Sequence, residues 1–348
     1  MQMFQHGAAV AAAATVFSLA GAAQAVPGRA VDIDASYHHS CAVTDCGDLV
    51  CWGRNDYGQA VDRIITSGFF LEPPDRWTDV STGFYHSCGV NENFEAYCWG
   101  NNGQGQLDLP LSDDVLQVTA GGYHTCEIYS ATNEVFCSGY DGQGQASPPG
   151  EFFVDISAGA FHTCGVRPVG DVLCWGSDGA GQSFGHQPTP NWAMFPGEEF
   201  VDVEAGNYHT CALTNQDNVY CWGSNGSGQL HPEYDDGTWG EIRPNFWRYA
   251  DNHHLLDVGT ATSCTLTGTS LDCWGGPFVL GGSAAPPSNF AYDDVAIGAS
   301  HGCAFDTSGD LMCWGSDSHG QATPDLVDGG WCPGTGPQIP PWPSFPWG

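Results

Sequence analysis

Apolar and polar positions along this chain fall into a recurring block of two short β-prone runs around a turn of about five polar or glycine-rich residues. The fullest copy runs from Asp202 to Leu230 and reads DVEAGNYHTCALTNQDNVYCWGSNGSGQL. Others read DVSTGFYHSCGVNENFEAYCWGNNGQGQL, DISAGAFHTCGVRPVGDVLCWGSDGAGQ and DVAIGASHGCAFDTSGDLMCWGSDSHGQ. Such a block predicts a β-hairpin. There are seven copies, and successive copies are offset by 47, 38, 38, 47, 53 and 39 residues. A unit this short cannot bury a core alone, so neighbours must pack on one another in one domain. Repeats of four short strands around an axis give an all-β, seven-bladed β-propeller, which leaves only short protected edges. The 38-residue offset is the bare blade, and the excess elsewhere is insertion.

Cysteine marks the register. The pairs Cys41/Cys51, Cys88/Cys98, Cys126/Cys137, Cys164/Cys174, Cys211/Cys221, Cys264/Cys273 and Cys303/Cys313 each straddle one predicted turn. Cys211 and Cys221 lie symmetrically about Gln216, so closing the hairpin sets them opposite each other, within reach of a disulfide. Each small loop contributes roughly 2–3 kcal/mol on a chain-entropy view. Cys46 and Cys332 fall outside the pattern. They either clasp the first blade to the last or remain free or intermolecular thiols. A zinc reading is disfavoured, because no close Cys-x-x-Cys pair occurs.

An oxidising compartment is expected from the N-terminus too. Ala8–Ala23 is an apolar run of small residues, followed by the cleavage pattern Ala23-Gln24-Ala25. The expected organisation is a signal peptide at 1–25, the propeller at 26–328 and a Pro/Trp-rich, extended or disordered tail at 329–348. The mature chain is expected outside the cell or on the envelope exterior, as a monomer without a membrane span.

Three further residues recur. Trp52, Trp99, Trp175, Trp222, Trp274 and Trp314 follow the second cysteine, with Ser138 in the third unit, and predict packing between blades. The next residue is always Gly, which predicts a conformation or close approach that a Cβ forbids. A Gly-Gln pair closes the following turn in every unit but the sixth, as Gly228-Gln229 does in the fifth, and predicts a Gln satisfying backbone groups of an adjoining blade. A histidine precedes most first cysteines: His39, His86, His124, His162, His209 and His301, with Thr262 in the sixth unit. A ring of imidazoles for a metal or anion is one reading. A blade-to-blade hydrogen bond repeated by symmetry is favoured, because a position present in every blade serves what every blade needs.

The run HTCAL…VYCWGSNGSGQL resembles the repeat of the regulator of chromosome condensation family, with its His-Thr-x-x-Leu strand, x-x-Trp-Gly strand and Asn-x-x-Gly-Gln turn. The resemblance covers roughly Asp32 to Asp325. The compact blades are more similar to the exported bacterial branch, typified by the type II β-lactamase inhibitor protein, than to nuclear exchange factors. It implies a propeller that binds macromolecules through loop faces and does no chemistry of its own.

Charge narrows the partner. Forty acidic residues face seven basic ones, all Arg, for a net charge of -33. That excludes an electrostatic footprint for nucleic acid or anionic lipid. No nucleophile, base and orienter stand in a recognisable arrangement, so no catalytic residue, cofactor or metal ligand is assigned. The pairs Asp113/Asp114, Asp235/Asp236 and Asp293/Asp294 lack the loop of an EF-hand. Symmetry is broken instead by insertions carrying Phe69, Phe70, Trp192, Trp239, Phe246 and Trp247. Aromatic side chains in loops anchor interfaces, or these rings cover the propeller's own rim. The leading expectation is a non-catalytic exported scaffold for a protein partner. A secreted propeller enzyme (a hydrolase or lyase) and a glycan-binding propeller are the alternatives. An enzyme needs unlike titratable groups converging at one place, whereas near-equivalent residues are expected along this axis.

Overall fold

The computed structural model describes residues 29–60, 76–110, 114–184, 197–230, 246–250, 255–276 and 290–324. These form seven antiparallel meander sheets, the blades. The inner strands are Ala30–Ala35, Trp77–Thr82, Val115–Ala120, Asp155–Ala158, Phe200–Ala205, Leu255–Val258 and Tyr292–Ile297. Each middle strand starts at the repeat histidine, or at Thr262 in blade six, and each outer strand ends at the repeat glycine. Successive inner strands touch, and the last touches the first, so the ring closes. Among the described residues there is no α-helix, and no helix long and apolar enough to cross a membrane.

The expected hairpins form in the expected register. Across the seven blades Cys41 stands opposite Cys51, Cys88 opposite Cys98, Cys126 opposite Cys137, Cys164 opposite Cys174, Cys211 opposite Cys221, Cys264 opposite Cys273 and Cys303 opposite Cys313. All seven pairs are bridged as expected, with Cα atoms 4.0–4.1 Å apart, closer than ordinary opposed residues. The two ends of a bridge are not equally covered. Every middle-strand cysteine is fully buried, whereas Cys98, Cys137, Cys273 and Cys313 on the outer strands are only half-buried. An outer strand lies further from the axis and has a neighbouring strand on one side only, unless a fourth strand covers it. Cys46 is also disulfide-bonded, and no cysteine is free among the described residues. Its expected partner Cys332, like the expected signal peptide and tail, lies outside the described residues.

The expected fourth strand is the one departure. Six blades show three strands, and only blade five has a fourth among the described residues, Phe246–Ala250, paired with Asn218–Gly223. It sets Trp247 opposite Cys221, which is buried. In blade three it is reduced to a single bridge between Glu134 and Phe152. The segment leading to that bridge contains Pro148 and Pro149, which have no N–H to give a ladder.

The core lies between blades. Each repeat Trp packs on the cystine of the preceding blade: Trp99 joins Cys41 and Cys51, Trp222 joins Cys164 and Cys174, and Trp274 joins Cys211 and Cys221. The glycine that ends each outer strand has a φ of +91° to +107°. At Gly53 a Cβ would also lie 2.6 Å from the His38 carbonyl oxygen, so the position tolerates no side chain.

Candidate functional site

The repeat histidines belong to the framework. Each buried imidazole reaches a hydroxyl of the next blade: His39 to Ser87, His86 to Thr125, His124 to Thr163, His162 to Thr210 and His209 to Ser263, at 2.8–2.9 Å. His301 to Ser40, at 2.7 Å, joins blade seven to blade one. In five of these blades the hydroxyl donates in turn to a repeat Gln carbonyl, as Ser87 does to Gln59. A hydroxyl already donating must accept from Nε2–H, which assigns the tautomer. Nδ1 is then a buried acceptor without a partner. Protonating it would bury a charge and an unanswered N–H, and burial lowers the six histidines to about 3 or 4.

The Gln assignment needs one correction. Its side chain serves its own turn, accepting from the backbone N–H two residues earlier, as Gln59 does from Tyr57. Its backbone carbonyl serves the next blade, accepting the indole N–H of Trp99. Between blades six and seven this whole relay is missing. Thr262 replaces the His, Gly302 replaces the hydroxyl and no Gln follows Gly275. The Trp314 indole N–H and the Thr262 hydroxyl are consequently buried without partners.

The axis is an acid-lined cavity of about 350 Å³. One repeat position supplies Asp32, Asp79, Gln117, Asp155, Asp202 and Asp294, with Leu255 in blade six. Two residues on come Asp34, Ser81, Thr119, Ser157, Glu204, Asp257 and Ala296. In five blades a bulge immediately before the first position resets the alternation. Inner strands are edge strands, and their free N–H groups need acceptors. The preceding blade supplies them. Val80 N–H donates to Asp32, Thr82 N–H to Asp34, Ile156 N–H to Gln117 and Val203 N–H to Asp155, at 2.6–3.0 Å. Ser81, Thr119 and Ser157 do the same at the second position, and Asp257 caps Ile297. The near-equivalent positions thus tile the axis with strand caps, not with a converging acid–base set.

No Arg or His lines the cavity among the described residues. Burial, then repulsion between neighbours, raises Asp32, Asp202, Glu204 and Asp257 well above the usual carboxylate range. Burial raises Asp79 to about 6 and Asp294 to about 7. These shifts oppose those of the histidines. A carboxylate raised in the native state costs stability at high pH, and the cost is relieved as pH falls through about 7 and 6. A lowered histidine keeps its full contribution above its ordinary value of 6.5 and loses it as pH falls toward 4 and 3. Stability is therefore expected to peak on the acid side of neutrality, where the carboxyls are relieved and the histidines have not yet been forced to charge. Asp294→Asn should raise the melting temperature more at pH 8 than at pH 5, because the cost is relieved progressively as pH falls from about 7 toward the ordinary value of 3.8. Equal effects at both pH values would refute the assignment.

The symmetry breaks at one mouth. The loops joining inner to middle strands carry Tyr37 and His38, Phe84 and Tyr85, Tyr123, Phe161 and Tyr208 in blades one to five. Blades six and seven carry Thr260-Ala261 and Ala299-Ser300 there. Neighbouring rings of blades one to four touch in an arc: Tyr37–Phe84 at 4.9 Å, Phe84–Tyr123 and Tyr85–Tyr123 at 5.8 Å, and Tyr123–Phe161 at 6.1 Å between centroids. Tyr57 and Tyr140, from the turns after the outer strands, extend it against Tyr85 and Phe161. Tyr37 and Phe84 also line the cavity, so arc and channel are continuous.

These rings were not among the expected anchors. Their signal was present in the residues just before the repeat His, aromatic through blade five and small thereafter. Of the expected anchors, Phe69, Phe70, Trp192 and Trp239 lie outside the described residues. Phe246 and Trp247 belong by their backbone to the fourth strand of blade five, not to a loop.

Comparison with known proteins agrees with this geometry. The family model described as regulator of chromosome condensation (RCC1) repeat matches residues 30–59, 77–106, 153–182, 200–229 and 292–321. The unmatched units are the third, which lacks the Trp, and the sixth, which lacks the His and Gln. The ectodomain of the Physcomitrella patens receptor kinase CR4 is 24% identical, covering 83% of this chain and 74% of that one at a TM-score of 0.60. The CRINKLY WD40 ectodomain of Arabidopsis thaliana ACR4 is 20% identical over 83% and 96%, at 0.57. Prp20p from Saccharomyces cerevisiae is 15% identical over 77% and 80%, at 0.61. At these identities the likeness is one of fold. The chain is a seven-bladed β-propeller in which five of the blades carry the regulator of chromosome condensation repeat.

Proposed function

We propose that this protein is an exported, non-catalytic scaffold that binds a protein partner through one propeller face. The observation that carries the reading is the contrast between axis and mouth. Most carboxylates repeated around the axis are spent on backbone donors of the next blade, whereas the aromatic rings at the mouth are confined to blades one to five. Structural demand explains the first and not the second. Seven disulfides support an oxidising compartment. Among the similar structures, Prp20p binds Gsp1p and histones, and yeast RCC1 is bound by Kap60.

The inserted residues Phe69, Phe70, Trp192, Trp239, Phe246 and Trp247 are proposed as additional contacts. A pull-down with the mature, disulfide-bonded protein from its native secretome should capture a protein partner. Trp239→Ala with Trp247→Ala should weaken capture roughly thirtyfold while leaving thermal stability nearly intact. Unfolding of that double variant would make the insertions packing elements and remove them from the binding face. Turnover of a glycan or ester without a captured protein would overturn the scaffold reading.

A further inference from the structure

We propose that the aromatic mouth of the axial channel is a docking site for an arginine side chain presented by the partner polypeptide. The proposal rests on the scaffold reading above and names the chemistry of its partner.

Three observations converge on it. The first is the arc itself. Tyr57 and Tyr208 are each 51% exposed, and the half-buried rings of Tyr85 and Tyr123 lie between them in blade order. Aromatic faces left at a surface attract cations, a guanidinium more than an ammonium because it is planar and weakly hydrated. The second is a precedent within the chain. The Arg54 guanidinium already sits 5.7 Å from the centroid of the Tyr85 ring, so this arc accepts that group in this geometry. The third is what lies behind the rings. The cavity of about 350 Å³ that opens at Tyr37 and Phe84 is lined by carboxylates and, among the described residues, by no basic side chain. Its volume suits a guanidinium with its aliphatic stem.

The charge is not evenly spent. Asp32 and Asp155 are engaged by the N–H groups of the next blade. Asp202 and Glu204 cap no strand of blade six among the described residues, and Glu204 instead accepts the Ser157 hydroxyl of blade four. Glu204 is raised by burial and by repulsion from Asp202, Asp257 and Asp155, and Asp202, Glu204 and Asp257 line one side of the channel from blades five and six with no basic residue among the described lining. Crowded, partly desolvated carboxylates gain most from a cation that can hydrogen-bond to two of them at once, which a guanidinium does. The aromatic loop positions end at Tyr208 in blade five, the same blade that carries Asp202 and Glu204. An arginine stem lying along the last rings of the arc would deliver its head to that side.

The test uses the full disulfide-bonded chain and a blocked glycine pentapeptide with one central arginine, followed by NMR titration into the millimolar range. The same peptide with citrulline is the control, since citrulline keeps the shape and loses the charge. The arginine peptide should shift aromatic resonances of the mouth and bind about tenfold or more tightly than the citrulline peptide. Asp202→Asn with Glu204→Gln should remove about tenfold of that affinity, and Tyr208→Ala a smaller part. Equal binding of both peptides, no binding of either, or unchanged affinity in the carboxamide variant would overturn the proposal. A response of the same resonances to calcium chloride, with none to the arginine peptide, would overturn it in favour of a metal ion. Should the carboxamide variant lose its near-ultraviolet circular dichroism, the citrulline comparison on the unmodified chain decides alone. The secretome pull-down separates this proposal from the scaffold reading. Equal capture by the native chain and by the folded carboxamide variant would overturn the arginine assignment and leave the scaffold standing. Peptide binding without any captured protein would do the reverse.

Discussion

Trp222→Ala is expected to cost roughly 3–5 kcal/mol of folding stability. The ring is 1% exposed, sits on the Cys164–Cys174 bridge of the preceding blade and donates its indole N–H to the Gln182 carbonyl at 2.9 Å. Truncation therefore opens a large cavity in an interface that cannot close without moving two blades. For a domain of this size the melting temperature should fall by about 6–20 °C. A phenylalanine scan resolves the hydrogen bond from the packing. Trp222→Phe should cost about 1 kcal/mol more than Trp314→Phe, because the Trp314 indole N–H has no partner to lose. Indistinguishable penalties at the two sites would show that the Gln carbonyl relay contributes nothing to the joint between blades.

Full reduction of the disulfides should abolish cooperative unfolding altogether. Each of the seven bridges closes a span of 9–11 residues across one hairpin. One such bridge contributes roughly 2–3 kcal/mol through the unfolded chain. Domain stability is about 5–15 kcal/mol in total, so even a strongly non-additive loss exceeds it. The cystines are also surfaces on which the next blade's Trp rests, as Trp274 rests on Cys211–Cys221. Urea titrations with and without reductant measure the effect. A reduced chain that still unfolds in one sharp transition at a similar midpoint would mean that inter-blade packing alone sustains the ring. Replacing one pair, Cys211→Ala with Cys221→Ala, should cost roughly 2–3 kcal/mol and leave the other blades intact.

What was legible in the amino-acid order is whatever every blade requires. The hairpins, the seven cysteine pairings from Cys41–Cys51 to Cys303–Cys313, the seven units and the inter-blade role of the Trp all follow from spacing. A repeated residue answers a repeated local demand, and opposed strand positions are set by the turn between them. The weak joint between blades six and seven was legible too, since Thr262, Gly302 and the absent Gln are all visible in the string. Three things needed the closed ring. The Gln was read as serving an adjoining blade, yet its side chain stays in its own turn and only its carbonyl crosses, because the turn brings Gln59 Oε1 to the Tyr57 N–H. Nothing in the order of residues around Asp32 and Asp34 names their partners, and only the ring sets them against the bare edge of the next inner strand, 48 residues away in sequence. The aromatic arc joins Tyr37, Phe84, Tyr123 and Phe161 from four separate units. Each looks like one ordinary surface ring in its own hairpin. Only circular closure places them side by side at the rim of an acidic channel, because contacts between blades depend on the radius and tilt of the whole ring, which no single repeat encodes.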